Sequence, residues 1–159
     1  MTESLSHVGE SGQARMVDVS HKPLTERRAT ASARVTMSPS TLALALSGQG
    51  PKGAVIETAR LAGIQGAKRT SDLIPLCHPL PLDAIDVQIA PDGRDALRIE
   101  ATVATTWRTG VEMEALTAAA VAGLALIDML KAVERDMAVT DLHVDSKSGG
   151  RSGEWRRAP

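Results

Sequence analysis

Thirteen consecutive residues, Ala115 to Ile127, carry no charge and are rich in Ala and Leu. Such a run reads as a helix that is apolar nearly all round, which a water-soluble fold must surround. It is too short to span a bilayer. Glu112 and Glu114 precede it, and Asp128 and Lys131 follow. Asp128 and Lys131 are three residues apart and so neighbour each other on one helix face. Everything else in the chain has to cover this helix, from Gly110 to Asp136, and leave its polar ends free.

The chain's 159 residues fit one domain with a real core. Phe and Tyr are absent and only Trp107 and Trp155 are aromatic, so that core is built from Ala, Val, Leu, Ile and Met. Modules that bind single-stranded nucleic acid stack bases on aromatic rings, which disfavours that class. Lys and Arg total 18 against 19 Asp and Glu, and a net charge of −1 gives no polyanion or membrane partner. One cysteine excludes an intrachain disulfide, and the four histidines have no metal-ligand spacing. The N-terminus, MTESLSHVGESGQ, is acidic and polar, unlike a signal peptide. A cytoplasmic protein is the expectation.

Residues 1–15 lack periodicity and read as a mobile arm ahead of a single domain over 16–150, with a loose tail over 151–159. From Arg28 to Met37 alternation is clean. Ala29, Ala31, Ala33, Val35 and Met37 face one way; Arg28, Thr30, Ser32, Arg34 and Thr36 face the other. Ser38-Pro39 starts a helix that stops at Gly48. Pro51 opens a second, running to about Arg69. Gly63 and Gly66 inside it cost roughly 1 kcal/mol each relative to Ala, so they call for close helix packing or a ligand's approach. Pro75, Pro79 and Pro81 make Ser71–Leu82 a rigid crossing that presents Cys77 and His78. Ile85–Ile89 and Leu97–Val103 alternate around a Pro-Asp-Gly turn, a hairpin. A last strand follows the long helix, around Val139–Lys147. The order reduces to β-α-β-β-α-β, the ferredoxin-like split arrangement: an α+β fold with a four-stranded antiparallel sheet and helices on one face.

Four groups carry candidate chemistry. On spacing alone, Asp128 and Lys131 are a surface pair worth about 0.2–0.5 kcal/mol, or, if partly desolvated, a proton-transfer pair at a pocket. Cys77 and His78 are adjacent in an extended segment, so they point opposite ways and do not form a nucleophile–base pair with each other. His78, held among prolines, is the better site residue. Lys52, Lys68, Arg69, Arg108 and Lys147 are ordinary solvated cations unless something gathers them. Lys147-Ser148-Gly149-Gly150 lacks the lead-in of a phosphate loop. Glu112 and Glu114 complement the helix dipole. Glu114 and Asp128, fourteen residues apart, are separated by roughly 21 Å of helix at about 1.5 Å per residue. Both ends cannot line one small-molecule pocket, so if both are functional the pocket combines subunits.

Several blocks together are more specific than any one of them: MVDVS (16–20), ARLAGIQGAKRT (59–70), DLIPLCHPL (72–80), TGVEMEALTAA (109–119), DMLKAV (128–133) and KSGGRSG (147–153). In this order they resemble the cyclic pyranopterin monophosphate synthase family, the C accessory protein of molybdenum cofactor biosynthesis. The resemblance covers about residues 16 to 153. It implies a lyase that converts (8S)-3′,8-cyclo-7,8-dihydroguanosine 5′-triphosphate, supplied by a radical GTP cyclase, to cyclic pyranopterin monophosphate and pyrophosphate. It implies a ferredoxin-like fold in a homo-hexamer, a trimer of dimers with sites between subunits. It places catalysis at Asp128 and Lys131, and substrate contacts at Leu76, Cys77, His78, Met113 and Glu114. Lys52, Lys68, Arg69, Glu112 and Lys147 fall where phosphate or proton-transfer support is expected. No cofactor is implied, and a divalent-metal requirement is left open. The chain departs from the family pattern at Ala54 and Ser71, and Arg151 keeps a charge that is commonly a lysine's. The rival readings are a nucleotide sensor of the same fold, which binds without turnover, and an RNA-binding sheet.

Overall fold

Two long strands with matching apolar faces set the architecture. In the computed structural model, which describes residues 11–158, β1 (Thr25–Thr36) lies at the centre of the sheet. It is antiparallel both to β3 (Ala96–Trp107) and to β4 (Ala138–Ser148). β2 (Ala84–Pro91) flanks β3 in a hairpin, and the order is β2-β3-β1-β4-β5. Between β1 and β2 come α1 (Pro39–Leu46), α2 (Val55–Lys68) and α3 (Thr70–Leu73); α4 (Glu112–Leu130) joins β3 to β4. The first four strands have the ferredoxin-like order with α2 and α4 packed on the sheet.

The alternating residues sort as their spacing predicts. Ala29, Ala31, Ala33, Val35 and Met37 are all buried, opposite Leu97, Ile99, Ala101 and Val103 of β3 and beneath Ala115, Ala118, Ala119, Ala122, Leu126 and Leu130 of α4. The small side chains let helix and sheet approach closely, which a core without Phe or Tyr requires. With 19 residues, α4 has the length and apolar composition to cross a membrane, although its uncharged stretch alone does not. Here it is packed between α2 and the sheet, with ten of its residues buried.

Four details depart from the sequence expectation. The sheet has a fifth strand, because the tail expected to be loose returns as β5 (Trp155–Arg156) along the free edge of β4. β1 begins at Thr25 rather than Arg28, since its first residues pair with the end of β3 (Thr25↔Trp107). α2 begins at Val55 rather than Pro51: Gly53 closes a turn onto Gly50 (N–H to carbonyl, 2.9 Å) at φ +99°, outside helical space. Its N-cap, Ala54, makes no side-chain cap. α4 ends at Leu130 rather than Asp136, because Glu134 turns away and its carboxylate accepts from the Ser38 backbone N–H (3.0 Å) and hydroxyl (2.8 Å), joining the start of α1. Ser38 in turn caps α1 through Thr41 N–H (3.3 Å). Most of the arm expected over residues 1–15 lies outside the described residues.

Gly63 and Gly66 serve helix packing. A Cβ on Gly66 would lie 2.8 Å from Val121 Cβ, and one on Gly63 would lie 2.9 Å from the Ala118 carbonyl oxygen. Gly66→Ala is therefore expected to gain intrinsic helix propensity yet destabilise the chain by about 1–3 kcal/mol through overpacking. A denaturant titration reads the difference.

The other sheet face is polar. Ser32 is only 2 % exposed. Its hydroxyl donates to the Asp145 carboxylate and accepts from Arg98 Nη2 (2.9 Å). His143 Nε2 also meets Asp145 (3.1 Å).

Candidate active site

Two groups of charged residues sit at opposite ends of α4. At its C-terminal end, Asp128 is clamped by two lysines: Lys131 Nζ at 2.6 Å from one carboxylate oxygen and Lys52 Nζ at 2.7 Å from the other. The Lys131 contact follows from the three-residue spacing. The Lys52 contact arises because α2 runs antiparallel to α4, which brings the loop before α2 to the end of α4. Hydrogen bonds from Lys131 and Lys52 lower the Asp128 pKa to about 2. The group is exposed, Asp128 by 54 % and Lys131 by 58 % of the side chain. It lines none of the cavities at the other end of α4.

At the N-terminal end, the proline-braced crossing, the segment around Val17 and the first turn of α4 enclose a cavity of about 430 Å³. Leu76, Cys77, His78, Met113 and Glu114 all line it, with Glu112. His78 Nε2 lies 2.8 Å from the Val17 carbonyl oxygen. A carbonyl only accepts, so Nε2 carries the proton and Nδ1 is the free nitrogen of the neutral ring. Glu114 is 4 % exposed. Burial pushes its pKa up to about 7, with a smaller push from Glu112. Burial, and then Glu114, also raise the Cys77 thiol. A raised thiol is a poor nucleophile at neutral pH, so Cys77 serves as wall.

A second cavity of about 670 Å³ adjoins the first, sharing Lys22, Thr109, Gly110 and Glu112 with it. Lys22, Arg27, Arg28, Arg108, Lys147 and Arg151 line it against one carboxylate, Glu112. Lys147 Nζ is 3.0 Å from Glu112, and Arg108 lies over the Trp107 ring at 5.4 Å. Among the described residues, the Nε atoms of Arg27 and Arg108 are buried without a hydrogen-bond partner. Six cations gathered around one cavity suit a polyanion. Sequence reasoning missed Lys22 and Arg27. The signal for Arg27 was present: stepping back by two along the inward face of β1 from Ala29 reaches Arg27 and then Thr25, beyond the end of the core. Lys147, paired with Ala29 in the sheet, lies at the same end.

Lys68 and Arg69 end α2 and are exposed; neither lines a cavity described above. Thus the structure gathers Leu76, Cys77, His78, Glu112, Met113, Glu114 and Lys147 at one end of α4. Asp128, Lys131 and Lys52 lie at the other end.

Residues 16–150 match the MoaC family. A Mycobacterium bovis protein named cyclic pyranopterin monophosphate synthase 3 is 59% identical over 153 residues, spanning 96% of this chain and 86% of its own. Cyclic pyranopterin monophosphate synthases of Streptomyces griseus and Thermomicrobium roseum are 57% and 56% identical over 154 residues. Each alignment spans 96% of this chain, and 86% and 93% of those proteins respectively.

Proposed function

The chain belongs to the MoaC family, and we propose that this enzyme of molybdenum cofactor biosynthesis makes cyclic pyranopterin monophosphate as a pyrophosphate-releasing lyase. Its substrate is (8S)-3′,8-cyclo-7,8-dihydroguanosine 5′-triphosphate, supplied by a radical GTP cyclase. The observation that supports this most is the junction of a six-cation cavity with a carboxyl- and imidazole-lined one across Gly110 and Glu112. A nucleotide with a triphosphate and a ring system that must exchange protons needs both.

In the phosphoryl step a ribose hydroxyl attacks the α-phosphorus, an O–P bond forms, the bond to pyrophosphate breaks, and the hydroxyl proton passes to a base. Lys and Arg side chains stabilise the charge that develops on the departing oxygens. Glu114, half-ionised near pH 7, matches the requirement for a general acid–base beside the rings. Asp128 does not in the free chain, where its two lysines keep it a carboxylate of low basicity. Its first role is to hold Lys131 and Lys52. Phosphate oxygens that draw those lysines away return Asp128 towards an ordinary carboxylate, able to take a proton.

The two ends of α4 are joined by oligomerisation. Asp128, Lys131 and Lys52 of one subunit complete the cavity of a neighbour, in a hexamer built as a trimer of dimers. Lys68 and Arg69 lie towards the Glu114 end of the antiparallel α2–α4 pair and serve as outer cations for the phosphates. The lone free Cys77 fits a reducing, cytoplasmic setting.

Purified protein given the cyclised nucleotide is expected to release one pyrophosphate per pterin precursor formed. Running the assay with and without added Mg²⁺ reads any divalent-ion requirement. Binding of the nucleotide without product would instead support the sensor reading.

A further inference from the structure

The chain past residue 150, where the family match ends, folds back as a short hairpin whose loop is a wall of the cationic cavity. β5 pairs with β4 in the register Ser146↔Arg156 and Lys147↔Trp155. The ladder continues through the Arg157 N–H, which donates to the Asp145 carbonyl at 2.8 Å. Lys147 is thereby held on both sides, by Ala29 of β1 and Trp155 of β5.

The loop between the strands is shaped for contact with the cavity. Gly149, Gly150 and Gly153 have φ of +96°, +70° and +63°, a region side chains disfavour. A Cβ on Gly149 would overlap the Glu26 carbonyl oxygen, and one on Gly150 would overlap the Arg27 guanidinium. The loop backbone therefore lies directly against Arg27. Residues Ser148–Ser152 line the cavity, and Arg151 is the hairpin's own cation there. Trp155, 43 % exposed, contributes little to the core. Its packing does not explain why the strand is there.

We infer that the β4–β5 hairpin is a positioning element for the polyphosphate of the substrate: β5 fixes the loop so that Gly149–Gly150 back Arg27 and Arg151 faces the cavity beside Lys147. This rests on the triphosphate reading of the cavity. β5 itself touches no substrate. It acts through Arg151, Arg27 and Lys147, so its loss weakens phosphate binding more than it slows a bound substrate's reaction.

The test uses full-length chains. Proline has no N–H for the ladder, so Trp155→Pro releases β5 without removing a side chain of the core. Loss of a charge-assisted hydrogen bond is expected to weaken inorganic triphosphate binding, read by calorimetry, about ten- to a hundredfold, with KM for the cyclised nucleotide rising in parallel and kcat changing far less. Arg151→Ala does the same and Arg151→Lys restores most of the affinity. The double variant Trp155→Pro/Arg151→Ala is scarcely weaker than Trp155→Pro alone, because releasing β5 already removes the Arg151 contact. Unchanged triphosphate affinity in Trp155→Pro or Arg151→Ala, or fully additive losses in the double variant, overturns the inference. Should Trp155→Pro unfold, the Arg151 pair alone decides it. If the variants lose triphosphate as stated but the native chain leaves the cyclised nucleotide unchanged, the hairpin's role stands and the assigned reaction falls.

Discussion

Lys131→Ala is expected to turn over the cyclised nucleotide roughly 10²–10³-fold more slowly than the native chain, the range for loss of one positioned donor that stabilises developing charge. Its thermal unfolding should hardly change. Lys131 is exposed at the C-terminal cap of α4, and among the described residues its ammonium pairs only with the equally exposed Asp128; exposed ion pairs contribute little to stability. Asp128→Asn should fall in the same range for a different reason: the amide leaves both lysines without the anion that holds them. Single-turnover kinetics beside a melting curve separates the two effects. Native-like turnover in either variant would remove this end of α4 from the site.

Glu114 carries the second large effect. Its folded pKa of about 7 stands above the ordinary carboxyl value of 4.5, so the folded chain keeps a proton that the unfolded chain has released. Between those pH values the folded state binds more protons, and stability falls as pH rises. At about 1.36 kcal/mol per unit, the loss from pH 4.5 to 7 is about 3 kcal/mol. The contribution is fully present below pH 4.5 and gone above pH 7. Glu114→Gln has no proton to lose, so it should be the more stable chain at pH 8 and lack this slope in denaturant titrations between pH 4.5 and 8. It should also be impaired in turnover. An unchanged slope in Glu114→Gln would show that the carboxyl titrates in the fold as it does in the unfolded chain.

The parts of the fold legible in sequence were those set by short-range periodicity. The alternation through Ala29–Met37 fixed which face of β1 meets α4, and the uncharged run marked α4 as the core helix. Helix ends were misjudged where a distant partner decides them: no local pattern in AVERD shows that Glu134 leaves the helix to cap α1, 96 residues away. The site was legible as motifs and not as geometry. The spacing of Asp128 and Lys131 gave their contact, but Lys52 reaches Asp128 across 76 residues through antiparallel packing of α2. The cationic cavity depends on register between β1, β3 and β4, so Arg27, Arg108 and Lys147 converge though nothing local links them. Ser32 sits on the polar face by alternation and is nonetheless covered, because Asp145 and Arg98 meet over it.

One helix is expected to supply two sites, its Glu114 end serving one and its Asp128 end another. Subunit mixing tests it most directly. Asp128→Ala and His78→Ala chains, each expected to be strongly impaired alone, are dissociated, mixed in equal amounts and reassembled. A site built from two subunits becomes wholly native whenever a His78→Ala chain supplies Asp128 and an Asp128→Ala chain supplies His78, which random assembly gives in about a quarter of sites. Recovery of about a quarter of native turnover is the predicted result. No recovery from a mixture shown by mass to contain mixed oligomers, or full activity in a strictly monomeric native chain, would contradict it.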